Sequence, residues 1–151
     1  MLVLAACQLD FAIMPAPEEV RLAAWDEAQR YIGMEYEYGG QDVPKGIDCS
    51  GLVVNCYAAA VAGARYQLLF RDASVQDLFR QYTVAVDMPE TGDLIFLGNG
   101  TISHVAIYEK EEVGEIWFID AYSETGYVAY RSYESTNPKL LAFGRLLIRS
   151  R

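Results

Sequence analysis

One stretch near the middle of the chain constrains the fold most. From Ser50 to Ala62 the residues are apolar on nearly every side of a helix, and Gly63 follows as a helix stop. A helix that is apolar all round is buried among other elements. The sequence therefore predicts a central helix around which the rest of the chain packs.

Helices come before strands along the chain. Pro15-Ala-Pro17-Glu18-Glu19 predicts a helix start, and Gly33 predicts its end. Ser74 and Asp77 predict a capping box for a short helix that runs to Tyr82. Runs rich in β-branched and aromatic residues predict strands at 93–97, 104–109, 115–120, 127–133 and 140–148. This order predicts one α+β domain over residues 17–151, preceded by an N-terminal arm of residues 1–16.

The charge of the chain excludes several classes of partner. With 12 Lys and Arg against 21 Asp and Glu, the net charge is -9, so no basic surface for nucleic acid is expected. No apolar run reaches the roughly 20 residues of a membrane-spanning helix. Three cysteines and one histidine, without a C-x-x-C spacing, predict neither a disulfide framework nor a metal site.

The first seven residues leave two interpretations open. Met1 to Cys7 resembles the end of a bacterial lipoprotein signal, in which small residues precede a lipidated cysteine, although a basic segment in front is lacking. In one interpretation Cys7 holds a lipid anchor. In the other, the segment is an apolar arm packed on the domain, with Cys7 as a core residue.

The strongest chemical signal is Asp48-Cys49-Ser50-Gly51, where an irregular loop enters the central helix. A cysteine at a helix N-terminus is favoured as a thiolate by the positive end of the helix dipole. The unpaired backbone N–H groups at the same place can receive a developing oxyanion. These features make Cys49 a candidate nucleophile, the alternative being a small buried cysteine with no reactive role.

A thiol nucleophile needs a base, and the chain contains a single histidine, His104, at the start of a predicted strand. Asp120 ends the next strand, and antiparallel pairing is expected to bring it beside His104, where a carboxylate orients the imidazole. The alternatives are a packed or surface histidine without a role and a solvated strand-end carboxylate.

With these residues in place, the chain resembles the NlpC-type bacterial cell-wall endopeptidases, which are papain-like cysteine peptidases. The matching segments, in order and in register, are Tyr36-Glu-Tyr-Gly-Gly40, Asp48-Cys-Ser-Gly-Leu-Val53, Gly92-Asp-Leu-Ile-Phe96, Ser103-His-Val-Ala-Ile-Tyr108 and Ile119-Asp-Ala121.

The resemblance implies a papain-like α+β fold and cleavage of peptidoglycan stem peptides, typically at a γ-D-glutamyl bond to a diamino acid. It implies that Cys49 is the nucleophile, His104 the general base and then acid, and Asp120 the orienting residue. Substrate-binding positions implied by the matching motifs are Tyr36, Asp48, Ser50 and Ser103. No metal or organic cofactor is implied.

The chain departs from the family pattern at three positions. Asp120 stands where histidine is most common, Glu35 where proline is usual before the tyrosine, and Ala106 where glycine is common. A carboxylate at position 120 stabilises an imidazolium more strongly than a second imidazole would. The pH profile is therefore expected to differ from that of relatives with histidine there.

The leading hypothesis is a cysteine endopeptidase that acts as a monomer on peptidoglycan stem peptides. An amidase or an acyltransferase would use the same thiol and histidine, and a non-catalytic wall-binding module would keep the fold without turnover. The substrate places the protein in the cell envelope or periplasm, with or without a lipid anchor, or outside the cell.

Overall fold

The computed structural model describes residues 12–42 and 46–151 as an α+β fold, as the sequence predicts. The elements in chain order are β1 (Ile13–Pro15), α1 (Glu18–Tyr31), β2 (Gln41–Asp42), β3 (Gly46–Ile47), α2 (Cys49–Val61), β4 (Tyr66–Leu68), α3 (Val75–Gln81), β5 (Thr83–Ala85), β6 (Leu94–Leu97), β7 (His104–Glu112), β8 (Glu115–Tyr122), β9 (Tyr127–Glu134) and β10 (Leu140–Ser150).

An antiparallel sheet forms the larger half of the described chain, in the order β1-β10-β6-β7-β8-β9. The long strand β10 is its hub, because it also pairs with β4 and β5 and so contacts four strands in all. The small β2–β3 pair lies in the loop that precedes α2. Consecutive hairpins from β6 to β9 place the start of β7 and the end of β8 at the same end of the sheet.

The central helix is buried, as its composition predicts. Leu52, Val53, Cys56 and Tyr57 of α2 are between 0% and 1% exposed. They pack with α1 and with one face of the sheet in the main core. A second, smaller core covers the other face of the sheet and is built from alternate residues of β6, β7 and β8: Ile95, Leu97, Ala106, Tyr108, Ile116 and Phe118.

The helix boundaries follow the predicted signals closely. The Ser74 hydroxyl accepts a hydrogen bond from the Asp77 backbone N–H, and the Asp77 carboxylate accepts one from the Ser74 N–H, so the predicted capping box is present. Runs rich in β-branched and aromatic residues predicted the long strands, but not β1, β4 and β5. These are short strands of three residues each that pair with β10.

Part of the predicted N-terminal arm belongs to the sheet. Residues 13–15 pair with β10, and the Ala16 N–H donates to the Leu146 carbonyl at 2.7 Å. Cys7 and the rest of residues 1–11 lie outside the described residues, so the choice between a lipid anchor and a packed arm stays a prediction. In the described part of the chain no helix has the length and apolar character needed to cross a membrane.

Candidate active site

Cys49 is the first residue of the central helix, and the residues around it fix the helix start. The Asp48 side chain caps the helix, since its Oδ1 accepts a hydrogen bond from the Gly51 N–H at 2.7 Å and one from the Ser50 hydroxyl at 3.3 Å. Gly51 lies so close to Gly40 that a Cβ would sit 2.6 Å from the Gly40 carbonyl oxygen. The half-buried Cys49 is thereby held at the positive end of the α2 dipole.

His104 connects this helix to the sheet. It begins β7, opposite Leu97 of β6. Its Nε2 lies 2.7 Å from Oδ2 of Asp120, and the Cys49 side chain lies close enough to raise the pKa of the imidazole. Because Nε2 faces the carboxylate, Nδ1 is the ring nitrogen left for the thiol. The structure therefore brings Cys49, His104 and Asp120 together from one helix and two strands.

The strand register explains why Asp120 reaches His104. Ile107 of β7 pairs with Ile119 of β8, which places Asp120 diagonally across from His104 on the same face of the sheet. The Asp120 side chain is fully buried, while that of His104 is 13% exposed. A buried carboxylate needs hydrogen-bond donors on both oxygens, and the imidazole supplies only one of them.

Arg131 supplies the other donors, and the sequence reasoning did not find it. Its Nε donates to Asp120 Oδ1 at 2.9 Å and its Nη2 to Oδ2 at 2.7 Å, a bidentate pair. The guanidinium also stacks over the rings of Phe118, Tyr122 and Tyr133, with centroid distances of 4.4 to 5.2 Å. The available signal was that Arg131 is the one basic residue in the strand beside Asp120.

These contacts set the charge state of the site. Burial lowers the pKa of His104, but its hydrogen bonds with Asp120 and Cys49 outweigh burial and raise the pKa to about 9. For Asp120, burial raises the pKa, yet the hydrogen bonds from His104 and Arg131 keep it below its ordinary range. At neutral pH the arrangement therefore favours an imidazolium held against a carboxylate.

Tyr36 lies in the loop before α2, within electrostatic range of Cys49. Burial raises the pKa of its hydroxyl, and the neighbouring Cys49 and Asp48 raise it further, so the hydroxyl stays protonated and able to donate. Its backbone N–H donates to the Gly126 carbonyl at 2.9 Å, and its strand bridge to Ile47 joins the loop to the start of α2. The loop thus holds Tyr36 between the β8–β9 turn and the nucleophile.

The two serines named from the sequence occupy different environments. Ser50 is 7% exposed and its hydroxyl donates to Asp48, so it supports the helix cap rather than facing open solvent. Ser103 is exposed and directly precedes His104, where both line a small cavity. Of the two, Ser103 is the one placed to meet a ligand.

Neither a metal cluster nor a disulfide is present within residues 12–42 and 46–151. Cys49 and Cys56 are both free, and no group of three or more His, Cys, Asp or Glu side chains in these ranges could hold a metal ion. Cys56 is fully buried in α2, and burial raises the pKa of its thiol well above the ordinary value. A buried neutral thiol of this kind is unreactive, in contrast to Cys49.

The chain is similar in sequence and fold to several known proteins. The chain is 32% identical to dipeptidyl-peptidase 6 of Lysinibacillus sphaericus over 111 residues, which cover 74% of the chain and 36% of that protein. It is 32% identical to gamma-DL-glutamyl hydrolase of Bacillus subtilis over 135 residues, 87% of the chain and 30% of that protein. A solved structure from Staphylococcus aureus, described as similar to a lipoprotein of the NLP/P60 family, superposes with a TM-score of 0.64 at 27% identity. That superposition covers 91% of this chain and 44% of the other.

The chain spans about a third of the length of the two curated relatives, so the similarity concerns only a part of each. Residues 33–143 match the NlpC/P60 family, and this range includes Tyr36, Cys49, His104, Asp120 and Arg131. The chain therefore belongs to the NlpC/P60 family.

Proposed function

We propose that this protein is a cysteine peptidase that hydrolyses amide bonds in peptidoglycan stem peptides, at the γ-D-glutamyl bond to a diamino acid. The observation that carries the proposal is the Cys49 thiol at the start of a buried helix, close enough to raise the pKa of the His104 imidazole, which lies 2.7 Å from Asp120. A relative named for γ-DL-glutamyl hydrolysis supports the choice of bond.

In the first half of the reaction, His104 holds the proton of the Cys49 thiol as an imidazolium. The thiolate attacks the amide carbonyl carbon, and a tetrahedral oxyanion forms. The oxyanion then collapses, the C–N bond breaks, and His104 gives its proton to the leaving amine. The product of this step is a thioester between Cys49 and the γ-glutamyl group, together with a free amine.

Water completes the cycle. His104, now neutral, takes a proton from a water molecule, which attacks the thioester carbon. Collapse of the second tetrahedral intermediate releases the carboxylic acid and restores the Cys49 sulfur. Asp120 stabilises the imidazolium each time it forms and keeps the ring aimed at the sulfur.

The oxyanion is assigned to the space between the start of α2 and Tyr36. The backbone N–H groups at the first turn of a helix have no intrahelical acceptors, and the dipole favours negative charge there. The protonated Tyr36 hydroxyl, whose pKa is raised by burial and by the charges of Cys49 and Asp48, is assigned as a further donor.

The acyl side of the substrate is assigned to Asp48. Its Oδ1 accepts both hydrogen bonds of the helix cap, which leaves Oδ2 as the acceptor for an ammonium group of the peptide. A stem peptide with a free amino terminus fits this acidic residue. The proposed substrate places the protein in the cell envelope or outside the cell.

The test is incubation of wild-type protein and Cys49→Ala with muropeptides, with the products read by mass spectrometry. Wild type is expected to release fragments cut after γ-D-glutamate, and Cys49→Ala is expected to release none. Cys56→Ala is the matched control, because it removes the other described cysteine without touching the site, and it should keep the wild-type products. Full hydrolysis by Cys49→Ala would disprove the mechanism.

Transfer is separated from hydrolysis in the same assay. Products are compared with and without an added free amine. If the acyl group were found mainly on the added amine at low amine concentration, the protein would be an acyltransferase and the hydrolase assignment would be wrong.

A further inference from the structure

A small cavity of about 70 Å³ lies on the side of His104 where the sheet ends. The residues that matter for its chemistry are Asn99, Ser103, His104, Tyr122, Tyr133 and Lys139. None of its lining residues is acidic, although the chain as a whole has a net charge of -9. The cavity is therefore a locally cationic place on an acidic protein.

Lys139 brings to the cavity a positive charge that, unlike that of His104, has no counterion in the described part of the chain. The other lysine there, Lys110, forms an ion pair with Glu112 at 2.7 Å. Among the residues that the structure describes, no carboxylate oxygen lies within 4.0 Å of the Lys139 ammonium nitrogen. A half-buried cation that faces a cavity without a partner is suited to an anionic ligand.

The backbone holds Lys139 at the rim of this cavity. Its carbonyl accepts a hydrogen bond from the Gly98 N–H at 3.1 Å, and its own N–H donates to the Asn137 side chain at 2.9 Å. The first bond ties the Lys139 segment to the loop that presents Asn99 and Ser103. The Lys139 ammonium, the Asn99 amide and the Ser103 hydroxyl thus come from two segments that the backbone holds together around the cavity.

Tyr133 adds a further donor to the set. Its hydroxyl oxygen accepts a hydrogen bond from Arg131 Nη1 at 3.0 Å, so its own proton remains to be donated into the cavity. Hydroxyl, amide and ammonium donors around one small space match the lone pairs of a carboxylate.

The position of the cavity relative to His104 indicates which part of a substrate would enter it. His104 must give its proton to the leaving amine, so the amino acid that contains this amine lies on the His104 side of the scissile bond. Tyr36 and Asp48 lie near Cys49, on the acyl side. A group in the cavity therefore belongs to the leaving amino acid.

We infer that Lys139, with Asn99 and Ser103, binds a carboxylate of the amino acid that leaves as the free amine. This inference rests on the proposed function, since it names a selectivity of the same site. Two carboxylates have the required chemistry: the α-carboxylate of a peptide that ends at the diamino acid, and the distal carboxylate of a dicarboxylic diamino acid such as meso-diaminopimelate.

The two carboxylates are distinguished by measuring the binding of three ligands to the Cys49→Ala protein by calorimetry. This variant is used because it cannot hydrolyse the ligands. The first is L-Ala-γ-D-Glu-L-Lys with a free α-carboxylate, and the second is its α-carboxamide. The third is L-Ala-γ-D-Glu-meso-diaminopimelate with the α-carboxyl group amidated and the distal carboxylate free. A charge-assisted contact makes the favoured carboxylate bind roughly tenfold or more tightly than the carboxamide. If the first ligand binds more tightly than the carboxamide by this factor, the site binds the α-carboxylate. If the third ligand does so, the site binds the distal carboxylate.

Lys139→Gln in the same background should remove the advantage, whereas Lys110→Gln, the matched control, should keep it. Equal affinity for all three ligands, no binding by any of them, or an advantage that survives Lys139→Gln overturns the inference. Muropeptide turnover by wild type is scored separately. Turnover without Lys139-dependent selectivity overturns only this inference, whereas selectivity without turnover overturns the peptidase proposal and leaves the carboxylate site.

Discussion

Replacing Arg131 with methionine tests whether the arginine holds the buried Asp120 carboxylate in its ionised form. The Asp120 side chain is 0% exposed and that of Arg131 is 19% exposed, and two hydrogen bonds of 2.9 and 2.7 Å join them. Arg131→Met keeps much of the apolar stem that packs on the aromatic rings and removes the guanidinium. It leaves Asp120 with His104 as its remaining charged partner.

The expected loss of stability follows from burial. Removing one partner of a buried ion pair costs about 3–5 kcal/mol, because the other charge stays buried without compensation. His104 still donates to Asp120, so the lower end, about 3 kcal/mol, is expected for Arg131→Met. Against a typical unfolding free energy of about 5–15 kcal/mol, this loss is readily measured.

The same substitution changes the pH dependence, and the sign can be worked out. In the wild type the pKa of Asp120 is below its ordinary value, so its contribution to stability is present above that ordinary value and is lost as the pH falls through the folded pKa. Without Arg131, burial is opposed by His104 alone and the folded pKa rises. Acid unfolding and the acidic limb of kcat/KM should therefore both move to higher pH in Arg131→Met.

The free energy of unfolding in urea and the pH–rate profile are measured for Arg131→Met, Arg131→Lys and Arg145→Met. Arg145→Met is the matched control, because Arg145 makes a bidentate pair with the fully buried Asp93 at 2.8 Å for both bonds, away from His104. Both variants should lose stability, and only Arg131→Met should shift the acidic limb. Arg131→Lys, which keeps the charge and loses the bidentate geometry, should recover part of each effect.

A double-mutant cycle gives the result that would refute this reasoning. In the Asp120→Asn background no carboxylate charge remains, so Arg131→Met should cost clearly less than it does in the wild type. An equal cost in both backgrounds, or an acidic limb that moves as far in Arg145→Met, would mean that Arg131 acts through packing alone.

Three further predictions use the same protein. His104 is the one histidine of the chain, so its single imidazole NMR signal should titrate near pH 9. Because this pKa is raised from 6.5, the contribution of His104 to the free energy of unfolding is present below pH 6.5 and should be lost as the pH rises through 9, which urea unfolding measures. A titration midpoint near 6.5 would contradict the imidazolium pair. Asp48→Ala should lower the unfolding free energy by about 1 kcal/mol, because the Gly51 N–H loses its capping hydrogen bond. Asp48→Asn should keep most of this stability, since an amide oxygen can also accept the bond. Equal losses in the two variants would contradict a capping role. Gly98→Ala places a Cβ 1.9 Å from the Thr101 carbonyl oxygen, so the loop must move. Both the urea midpoint of unfolding and the selectivity for a carboxylate ligand should therefore fall. An unchanged midpoint would show that the loop accommodates the methyl group without a loss of stability.

Local signals determined the helices. Asp48 is an N-cap at a loop–helix junction, Ser74 and Asp77 are a complete capping box, and both helices begin within one residue of the predicted start. Such signals can be read from a single sequence because the capping hydrogen bonds join residues that are three apart.

Pairing partners, in contrast, cannot be read locally. Strands β1, β4 and β5 are three residues long, and each is a strand because β10 lies beside it. Propensity in so short a segment is weak, and the partner is distant in sequence. The sequence signals for Thr83–Ala85 and Tyr66–Leu68 are therefore indistinguishable from those of ordinary loops.

The site divides in the same way. Cys49, His104 and Asp120 were nominated by residue type, by helix and strand ends and by family resemblance, and the structure brings them into one cluster. Arg131 was not nominated because its partnership depends on the β8–β9 register, which pairs it with Phe118 and sets it diagonal to Asp120. Lys139 belongs to the cavity only because the Gly98 backbone binds its carbonyl.

The position of β10 in the chain has a consequence for biosynthesis. The strand that joins β1, β4, β5 and β6 is the last of the described strands to leave the ribosome. The hairpins of β6 to β9 can form as they emerge, but β1 has to wait for a partner more than a hundred residues away. Until residues 140–150 are available, the sheet has a gap at its hub and α2 lacks part of its packing surface. The domain therefore completes its fold only after residues 140–150 have been synthesised.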